Sequence, residues 1–231
     1  MTASSFSVII PAAGIGTRMR ADRPKQYLPL AGRALIEHTL DCFLDHPGLK
    51  TLVVCLAVDD PWWPQLPCAD HPLIQRAAGG AERADSVLNG LDRLLATGAS
   101  ATDWVLVHDA ARPNLAREDL DRLLAELADD PVGGLLAVPA RDTLKRAGSN
   151  GRVEETVDRS VIWQAYTPQM FRLGALRDAL ADALAAGVPV TDESSAMEYA
   201  GHAPRLVEGR ADNLKVTRPE DLQWLEQRWK S

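Results

Sequence analysis

The chain has 231 residues, of which 46% are hydrophobic and 25% are charged. This ordinary globular composition excludes a disordered, fibrous or coiled-coil protein, and the length fits one large domain or two small ones. The 25 basic and 32 acidic side chains give a formal net charge of −7. We therefore expect neither nucleic acid nor a membrane as a partner, and an anionic ligand would need a local basic pocket.

The first two thirds of the chain alternate short apolar runs with amphipathic stretches, which predicts strands alternating with helices. The predicted strands are Phe6–Ile10, Thr51–Ala57, Trp104–His108 and Leu135–Pro139, and the predicted helices are Ala34–Leu44, Ala84–Leu95 and Arg117–Leu127. This order favours an α/β fold, a Rossmann-like and mostly parallel twisted sheet with helices on both faces. Ligands of such sheets bind beyond the carboxyl ends of the strands, so we expect the site in the loops that leave those ends.

The alternation stops after the fourth strand. Thr143–Arg146 and Arg152–Val157 are short extended segments, and the residues between them (147–151) have the composition of a hairpin turn. Neither segment has enough apolar side chains to belong to a core. We therefore predict a single domain, residues 1–231, with a projecting β-arm at about 139–166 that packs on a second subunit.

The last part of the chain returns to regular elements. We predict a helix at Leu173–Ala186, a short helix that Thr191-Asp192 caps and that ends at Tyr199, strands at Arg205–Val207 and Leu214–Thr217, and a C-terminal helix that Pro219 opens.

Cysteine usage and hydropathy indicate the compartment. The longest apolar stretches, such as Thr51–Val58, are far shorter than the roughly 20 residues of a membrane span. No Lys or Arg precedes the first apolar run, Val8–Ile10, which argues against a secretory signal. The three cysteines form no CxxC pair, so we expect a reduced, cytoplasmic protein.

The loop after the first strand carries the clearest chemical signal. Gly14 and Gly16 let the backbone approach an anion closely, but Met19 stands where a dinucleotide-binding loop has its third glycine, and the Walker sequence is absent. Four cations fall within residues 17–25: Arg18, Arg20, Arg23 and Lys25. Glycines and cations together at a strand exit favour a triphosphate site over a solvated basic loop.

Residues 12–19, followed by Pro24–Leu28, are similar to the signature of nucleotidyltransferases that activate sugar or alditol phosphates. Four later segments narrow the likeness: Gly80–Val87, His108–Pro113, Arg141–Lys145 and Gly209–Lys215. In this order the segments resemble the 2-C-methyl-D-erythritol 4-phosphate cytidylyltransferases, which transfer CMP from CTP to that polyol phosphate in non-mevalonate isoprenoid biosynthesis. The resemblance covers essentially the whole chain.

The resemblance implies a catalytic role for Arg18 and Lys25, which match positions that contact the triphosphate and the transition state. It implies that the nucleotide is bound by Ala12, Ala13, Gly14, Gly16, Gly80, Ala81 and Ser86. In the family the turn at Gly80 reads cytosine through backbone groups, and a frequent aspartate of this turn is Ala81 here. The reaction needs no general base, because a phosphate monoester is already largely ionised at neutral pH.

The acceptor side is also implied by the resemblance. The matching positions are Asp109, Arg112, Thr143, Arg159, Thr167 and Lys215. Asp109 would also contact Mg²⁺, the expected cofactor, since a carboxylate at a strand exit suits that ion; pairing with Arg112 or capping a helix is the alternative. Thr143 and Arg159 flank the arm, so in a family-like homodimer they would reach the neighbour's site. The segment Thr191–Glu193 resembles the family too, but we favour a helix cap there.

Other functions stay open at this stage. A cytidylyltransferase for another polyol phosphate, such as ribitol 5-phosphate, would share the nucleotide site and differ around the arm and Lys215. An NAD(P)-binding oxidoreductase fits the sheet but not the cationic loop. A nucleotide-binding regulator without turnover is disfavoured by the presence of Arg18, Lys25 and Asp109 together.

Overall fold

A twisted central sheet organises the protein in the computed structural model, which describes residues 5–14 and 22–230. The strands in chain order are β1 (Phe6–Pro11), β2 (Pro29–Leu30), β3 (Arg33–Ala34), β4 (Leu49–Leu56), β5 (Ile74–Ala78), β6 (Trp104–Val107), β7 (Gly133–Pro139), β8 (Leu144–Ala147), β9 (Val153–Val157), β10 (Trp163–Arg172) and β11 (Arg205–Glu208). Within the described ranges, seven of them form one sheet in the order β11-β7-β10-β6-β1-β4-β5.

The sheet is mostly parallel, as the sequence predicts. β1 lies between β4 and β6 and is parallel to both, β5 is parallel to β4, and β11 is parallel to β7. The exception is β10, which is antiparallel to both β6 and β7. The carboxyl ends of β1, β4 and β6 therefore lie at the same edge of the sheet as the first half of β10.

Helices cover both faces, which also confirms the prediction. They are α1 (Leu35–Leu44), α2 (Arg83–Ala96), α3 (Arg117–Leu127), α4 (Leu173–Ala185), α5 (Glu193–Tyr199) and α6 (Pro219–Lys230). Successive strand residues point to opposite faces: Val8 and Leu106 pack with α1 and α3, whereas Ile9 and Val107 pack with α2 and α4. Burial on both faces explains why these strands are almost uninterrupted apolar runs.

The arm projects where it was predicted. β8 and β9 pair in antiparallel register as a separate two-stranded sheet. The backbone N–H of Ala140 donates to the carbonyl of Ile162 at 2.9 Å and closes the base of the arm. Every residue of β8 and β9 is exposed or half-buried, so the arm has no core of its own in the monomer.

The predicted strand at Leu214–Thr217 is wrong. The segment is irregular, because it is tied to other loops rather than to a strand ladder. The N–H of Val216 donates to the carbonyl of Ala111 at 2.8 Å, and its side chain fills a small core together with Leu30 and Leu225. The sequence interpretation also missed β5 and β10, and it missed the β2–β3 hairpin.

Candidate functional site

Two cavities adjoin at the carboxyl edge of the sheet. The first, about 210 Å³, lies between the end of β1, the loop before α2 and the end of β6. The second, about 260 Å³, lies between the end of β6, the first half of β10 and the residues before α5. Arg83, Asp109 and Lys215 line both cavities. These three side chains therefore form the wall between two spaces of similar size.

The first cavity collects the predicted nucleotide residues that lie in the described ranges. They are Ala12, Ala13, Gly14, Gly80, Ala81 and Ser86. Lys25 lines the same cavity from a short 3₁₀ turn, and its Nζ donates to the carbonyl of Val216 at 3.3 Å. Gly16 and Arg18 lie outside the described residues.

Small residues allow the two loops of this cavity to approach each other. A Cβ on Gly79 would lie 2.1 Å from the Cβ of Ala13, and a Cβ on Gly80 would lie 2.1 Å from the Cβ of Asp85. The Ser86 hydroxyl accepts a hydrogen bond from the N–H of Gly80 at 3.0 Å and donates to the carbonyl of Glu82 at 3.1 Å. Ser86 therefore shapes the loop in this structure, and the loop backbone faces the cavity.

Asp109 is the centre of the charged wall. Its Oδ1 accepts from Nε of Arg83 at 3.1 Å, and its Oδ2 accepts from Nζ of Lys215 at 2.9 Å and from Nε of Arg112 at 3.4 Å. Burial alone would raise the pKa of Asp109, but the three positive charges hold that pKa far below its usual range. Asp109 is therefore an anion at any working pH.

Arg112 is packed as well as paired. Its Nη1 donates to the carbonyl of Asn213 at 2.7 Å, and its guanidinium lies 4.5 Å from the centre of the Tyr166 ring. Burial lowers the pKa of Arg112, although the charge of Asp109 opposes that shift. Even a lowered arginine pKa leaves the guanidinium charged. The predicted pairing of Asp109 with Arg112 is thus present, as one of three such contacts.

His108 and Thr167 support this wall through a chain of hydrogen bonds. Nε2 of His108 donates to the carbonyl of Arg112 at 3.0 Å, and Nδ1 accepts from the Thr167 hydroxyl at 2.9 Å. The hydroxyl in turn accepts from the N–H of Asp109 at 3.2 Å. The Arg112 carbonyl needs a proton on Nε2, and a neutral imidazole then leaves Nδ1 as an acceptor for the Thr167 hydroxyl. Complete burial lowers the pKa of His108 to about 4, which agrees with a structural role.

The sequence interpretation gave no role in the site to Arg83, which belongs to the wall, or to its partner Glu193. Arg83 and Glu193 form a two-pronged ion pair, with Nη1 to Oε1 at 2.7 Å and Nη2 to Oε2 at 3.1 Å. Both residues fall inside segments that resemble the family, but 110 positions separate them. Asp192 caps α5 through the N–H of Ser195, as predicted. The cap and the ion pair thus use adjacent residues of one segment.

Two predicted acceptor residues lie away from the cavities of this monomer. Thr143 is exposed just before β8, and Arg159 lies in a 3₁₀ turn after β9, where its Nη1 contacts the carbonyl of Arg141. Thr167 lines the second cavity, and Asp109, Arg112 and Lys215 do so too. Asp212 pairs with Arg210 and Arg228.

The side chains of the site that could coordinate a metal ion can be compared with what Mg²⁺ requires. Residues 5–14 and 22–230 contain no cluster of three or more His, Cys, Asp or Glu side chains that could hold a metal ion. Asp109 offers one carboxylate between the two cavities. Mg²⁺ usually keeps several waters and binds through one or two carboxylates plus substrate phosphates. The site therefore fits a Mg²⁺ that triphosphate oxygens carry, with Asp109 as a protein ligand, and does not fit an all-protein metal cage.

Comparisons with known proteins identify one family. The sequence model of the 2-C-methyl-D-erythritol 4-phosphate cytidylyltransferase (IspD) family matches residues 6–228. The protein of that name from Ectopseudomonas mendocina (strain ymp) is 74% identical over 226 residues, which cover 98% of this chain and 96% of that protein. The relative from Pseudomonas aeruginosa (strain UCBPP-PA14) is 76% identical over 218 residues, covering 94% and 93%. The crystal structure of the Francisella tularensis enzyme aligns with a TM-score of 0.83 at 36% identity, covering 99% of this chain and 100% of that chain.

Proposed function

The chain belongs to the 2-C-methyl-D-erythritol 4-phosphate cytidylyltransferase family, and we propose how its two cavities carry out the family reaction. CMP passes from CTP to 2-C-methyl-D-erythritol 4-phosphate, which gives 4-diphosphocytidyl-2-C-methyl-D-erythritol and pyrophosphate for isoprenoid biosynthesis. The observation that carries the proposal is the shared wall of Arg83, Asp109 and Lys215 between the two cavities. A transfer reaction needs two substrates side by side, and this wall lies where they would meet.

The first cavity is assigned to CTP. It is lined by the glycine-containing loop after β1 and by Gly80 and Ala81 before α2. Backbone groups of the second loop can form hydrogen bonds with the edge of cytosine, and a base with mismatched donors would leave buried polar groups unpaired. Because Ala81 has no polar side chain, selection of cytosine over uracil rests on the backbone in this protein.

The second cavity is assigned to the polyol phosphate. Arg112 and Lys215 supply positive charge, and the Thr167 side chain lies beside them. An oxygen of the acceptor phosphate attacks the α-phosphorus of CTP, so that a new P–O bond forms while the bond to the β-phosphate breaks and pyrophosphate leaves with its electron pair. No proton has to move, which agrees with a buried and neutral His108.

The remaining task is to stabilise negative charge on the reacting phosphates. Lys25 lines the CTP cavity and is assigned to the triphosphate and the transition state, together with Arg18 from the same loop. Mg²⁺ held by the triphosphate and Asp109 would neutralise further phosphate charge when bound. The cations of the wall keep Asp109 ionised and in a fixed orientation.

A homodimer would complete the acceptor cavity. The arm leaves Val161 74% exposed and Val153 63% exposed, and exposed apolar side chains on an element without a core favour an interface. Thr143 and Arg159 would then reach the cavity of the partner subunit. Sedimentation should show a dimer for the wild type, and Val161→Asp should shift it toward monomer; a monomeric wild type with full activity would contradict this assignment.

The compartment is proposed from the cysteines. Cys42, Cys55 and Cys68 are all free thiols, as in a reduced cytoplasm. No helix in the described part of the chain is long and apolar enough to cross a membrane.

An ¹⁸O-labelled acceptor would test the proposed reaction. With CTP and an acceptor whose phosphate oxygens are ¹⁸O, attack on the α-phosphorus places ¹⁸O in the bridge between the two phosphorus atoms of the product. The ³¹P resonances of both atoms should then show an isotope shift. Release of inorganic phosphate instead of pyrophosphate, or a product without ¹⁸O in the bridge, would overturn the proposal.

A further inference from the structure

Glu193 occupies an unusual position for a residue with no assigned role. Its side chain is fully buried at the start of α5, and it lines neither cavity. Both carboxylate oxygens are used by Nη1 and Nη2 of Arg83, at 2.7 and 3.1 Å. Such a two-pronged pair fixes the plane of the guanidinium as well as its place.

Arg83 transmits that orientation to the wall. With its two terminal nitrogens held by Glu193, the third nitrogen of the guanidinium, Nε, donates to Oδ1 of Asp109 at 3.1 Å. Oδ2 of the same carboxylate is then left for Lys215, at 2.9 Å, and for Arg112, at 3.4 Å. Each oxygen of Asp109 therefore has its own cationic partners, and Arg83 is the one that fixes the position of Oδ1.

Charge balance supports the same conclusion. Around Asp109, three cations face two carboxylates: the cations are those of Arg83, Arg112 and Lys215, and the second carboxylate is that of Glu193. Burial alone would lower the pKa of Arg83, but the charges of Glu193 and Asp109 raise it well above its usual value. Without the charge of Glu193, the guanidinium of Arg83 would lose the two strong contacts that fix its plane.

We propose that Glu193 is a positioning residue for CMP transfer, which acts through Arg83 to orient Asp109 between the two substrates. The inference rests on the proposed function, because the orientation of Asp109 matters only if the two cavities hold CTP and its acceptor. A pair that merely stabilised the fold would affect unfolding and would leave turnover of the folded protein unchanged.

Glu37 provides a matched control. It is also a buried glutamate near an arginine: its Oε1 lies 3.7 Å from Nε of Arg33, and its Oε2 accepts from the N–H of Ala34 at 2.8 Å. It belongs to α1 and lines neither cavity of the site. Glu37→Gln therefore makes the same chemical change at a buried glutamate outside the site, although its partner Arg33 is exposed.

Steady-state pyrophosphate release would be measured for the wild type, Glu193→Gln, Glu193→Asp and Glu37→Gln, with each rate referred to folded protein. We expect kcat of Glu193→Gln to fall by about 10- to 100-fold, since small misplacements of reacting groups have effects of that size. The KM for CTP should change by less than about threefold, and Glu193→Asp should recover part of kcat because it keeps the charge. Glu37→Gln should keep the wild-type kcat.

Other outcomes would overturn the inference. These are a kcat of Glu193→Gln within about twofold of the wild type, an equal loss in Glu37→Gln, no recovery in Glu193→Asp, or a loss confined to the KM for CTP. If Glu193→Gln does not fold, Arg83→Lys and the double variant Arg83→Lys/Glu193→Asp test the same pathway. A shared role predicts that the double variant loses no more kcat than Arg83→Lys alone, and additive losses would contradict it.

The wild-type rate separates this inference from the proposed function. A folded wild type that releases no pyrophosphate with CTP and 2-C-methyl-D-erythritol 4-phosphate overturns both. An active wild type together with an unaffected Glu193→Gln overturns the role of Glu193 alone.

Discussion

The Thr167 hydroxyl links two buried groups of the site, so the effect of its removal on the free energy of unfolding can be estimated. It donates to Nδ1 of His108 at 2.9 Å and accepts from the N–H of Asp109 at 3.2 Å. Thr167 is 4% exposed and His108 is fully buried, so the hydroxyl and the imidazole are both shielded from bulk solvent. Thr167→Val keeps the branched shape and leaves two buried polar groups without partners.

Each buried group that loses its partner costs about 1 to 3 kcal/mol. Two such groups predict that Thr167→Val lowers the free energy of unfolding by about 2 to 6 kcal/mol. For a domain of this size the melting temperature should fall by roughly 10 °C. Thr39→Val is the control. The fully buried Thr39 hydroxyl donates to the carbonyl of Ala110 at 3.0 Å and to the carbonyl of Leu35, four residues earlier in α1, at 3.4 Å. Its loss leaves the Ala110 carbonyl as the one acceptor outside the helix that loses this bond.

Urea unfolding followed by circular dichroism would give both free energies, with the denaturant slope checked for each variant. Thr167→Val should lose clearly more stability than Thr39→Val, and Thr167→Ser should retain most of the wild-type value because it keeps the hydroxyl. A loss in Thr167→Val no larger than that in Thr39→Val would refute the hydrogen-bond chain as described.

Three further predictions concern the site and its surroundings. Lys25→Ala should lower kcat much more than it lowers the free energy of unfolding; unchanged turnover would remove Lys25 from the catalytic set. Gly80→Ala should raise the KM for CTP at least about tenfold, because its Cβ would lie 2.1 Å from that of Asp85 and the base-reading loop must move; calorimetry showing wild-type CTP affinity would contradict this. Burial lowers the pKa of His46, although Asp121 opposes the shift. The unfolded chain therefore binds this proton more readily, so the stability contributed by His46 is present above about pH 6.5 and is lost as the pH falls toward its lower folded pKa. The loss of unfolding free energy between pH 7 and 5 should be smaller in His46→Gln, and an equal loss would exclude this group as its source.

Local patterns predicted most of the sheet, because its strands are buried on both faces and stand out as apolar runs. Trp104–His108 was predicted as a strand and Trp104–Val107 is one. β10 escaped notice because polar and apolar residues mix in its first half, around a Thr167-Pro168 sequence. Leu214–Thr217 has the composition of a strand but has no neighbouring strand to pair with.

The candidate site could likewise be predicted only in part from the sequence. The residues of the first cavity belong to short contiguous motifs, so the sequence alone could bring Gly80, Ala81 and Ser86 together. The surroundings of Asp109 depend on contacts between distant segments, such as the one between Arg83 and Glu193, 110 positions apart. A single sequence contains no signal for which arginine meets which carboxylate, since that is decided by the packing of α2 and α5 on the sheet.

The choice of acceptor tests the central claim most directly. Pyrophosphate release would be measured with Mg²⁺ and CTP, with 2-C-methyl-D-erythritol 4-phosphate in one series and ribitol 5-phosphate in the other. The account predicts rapid release with the first acceptor and little with the second. Release with ribitol 5-phosphate alone, or with neither acceptor from folded protein that binds CTP, would contradict it.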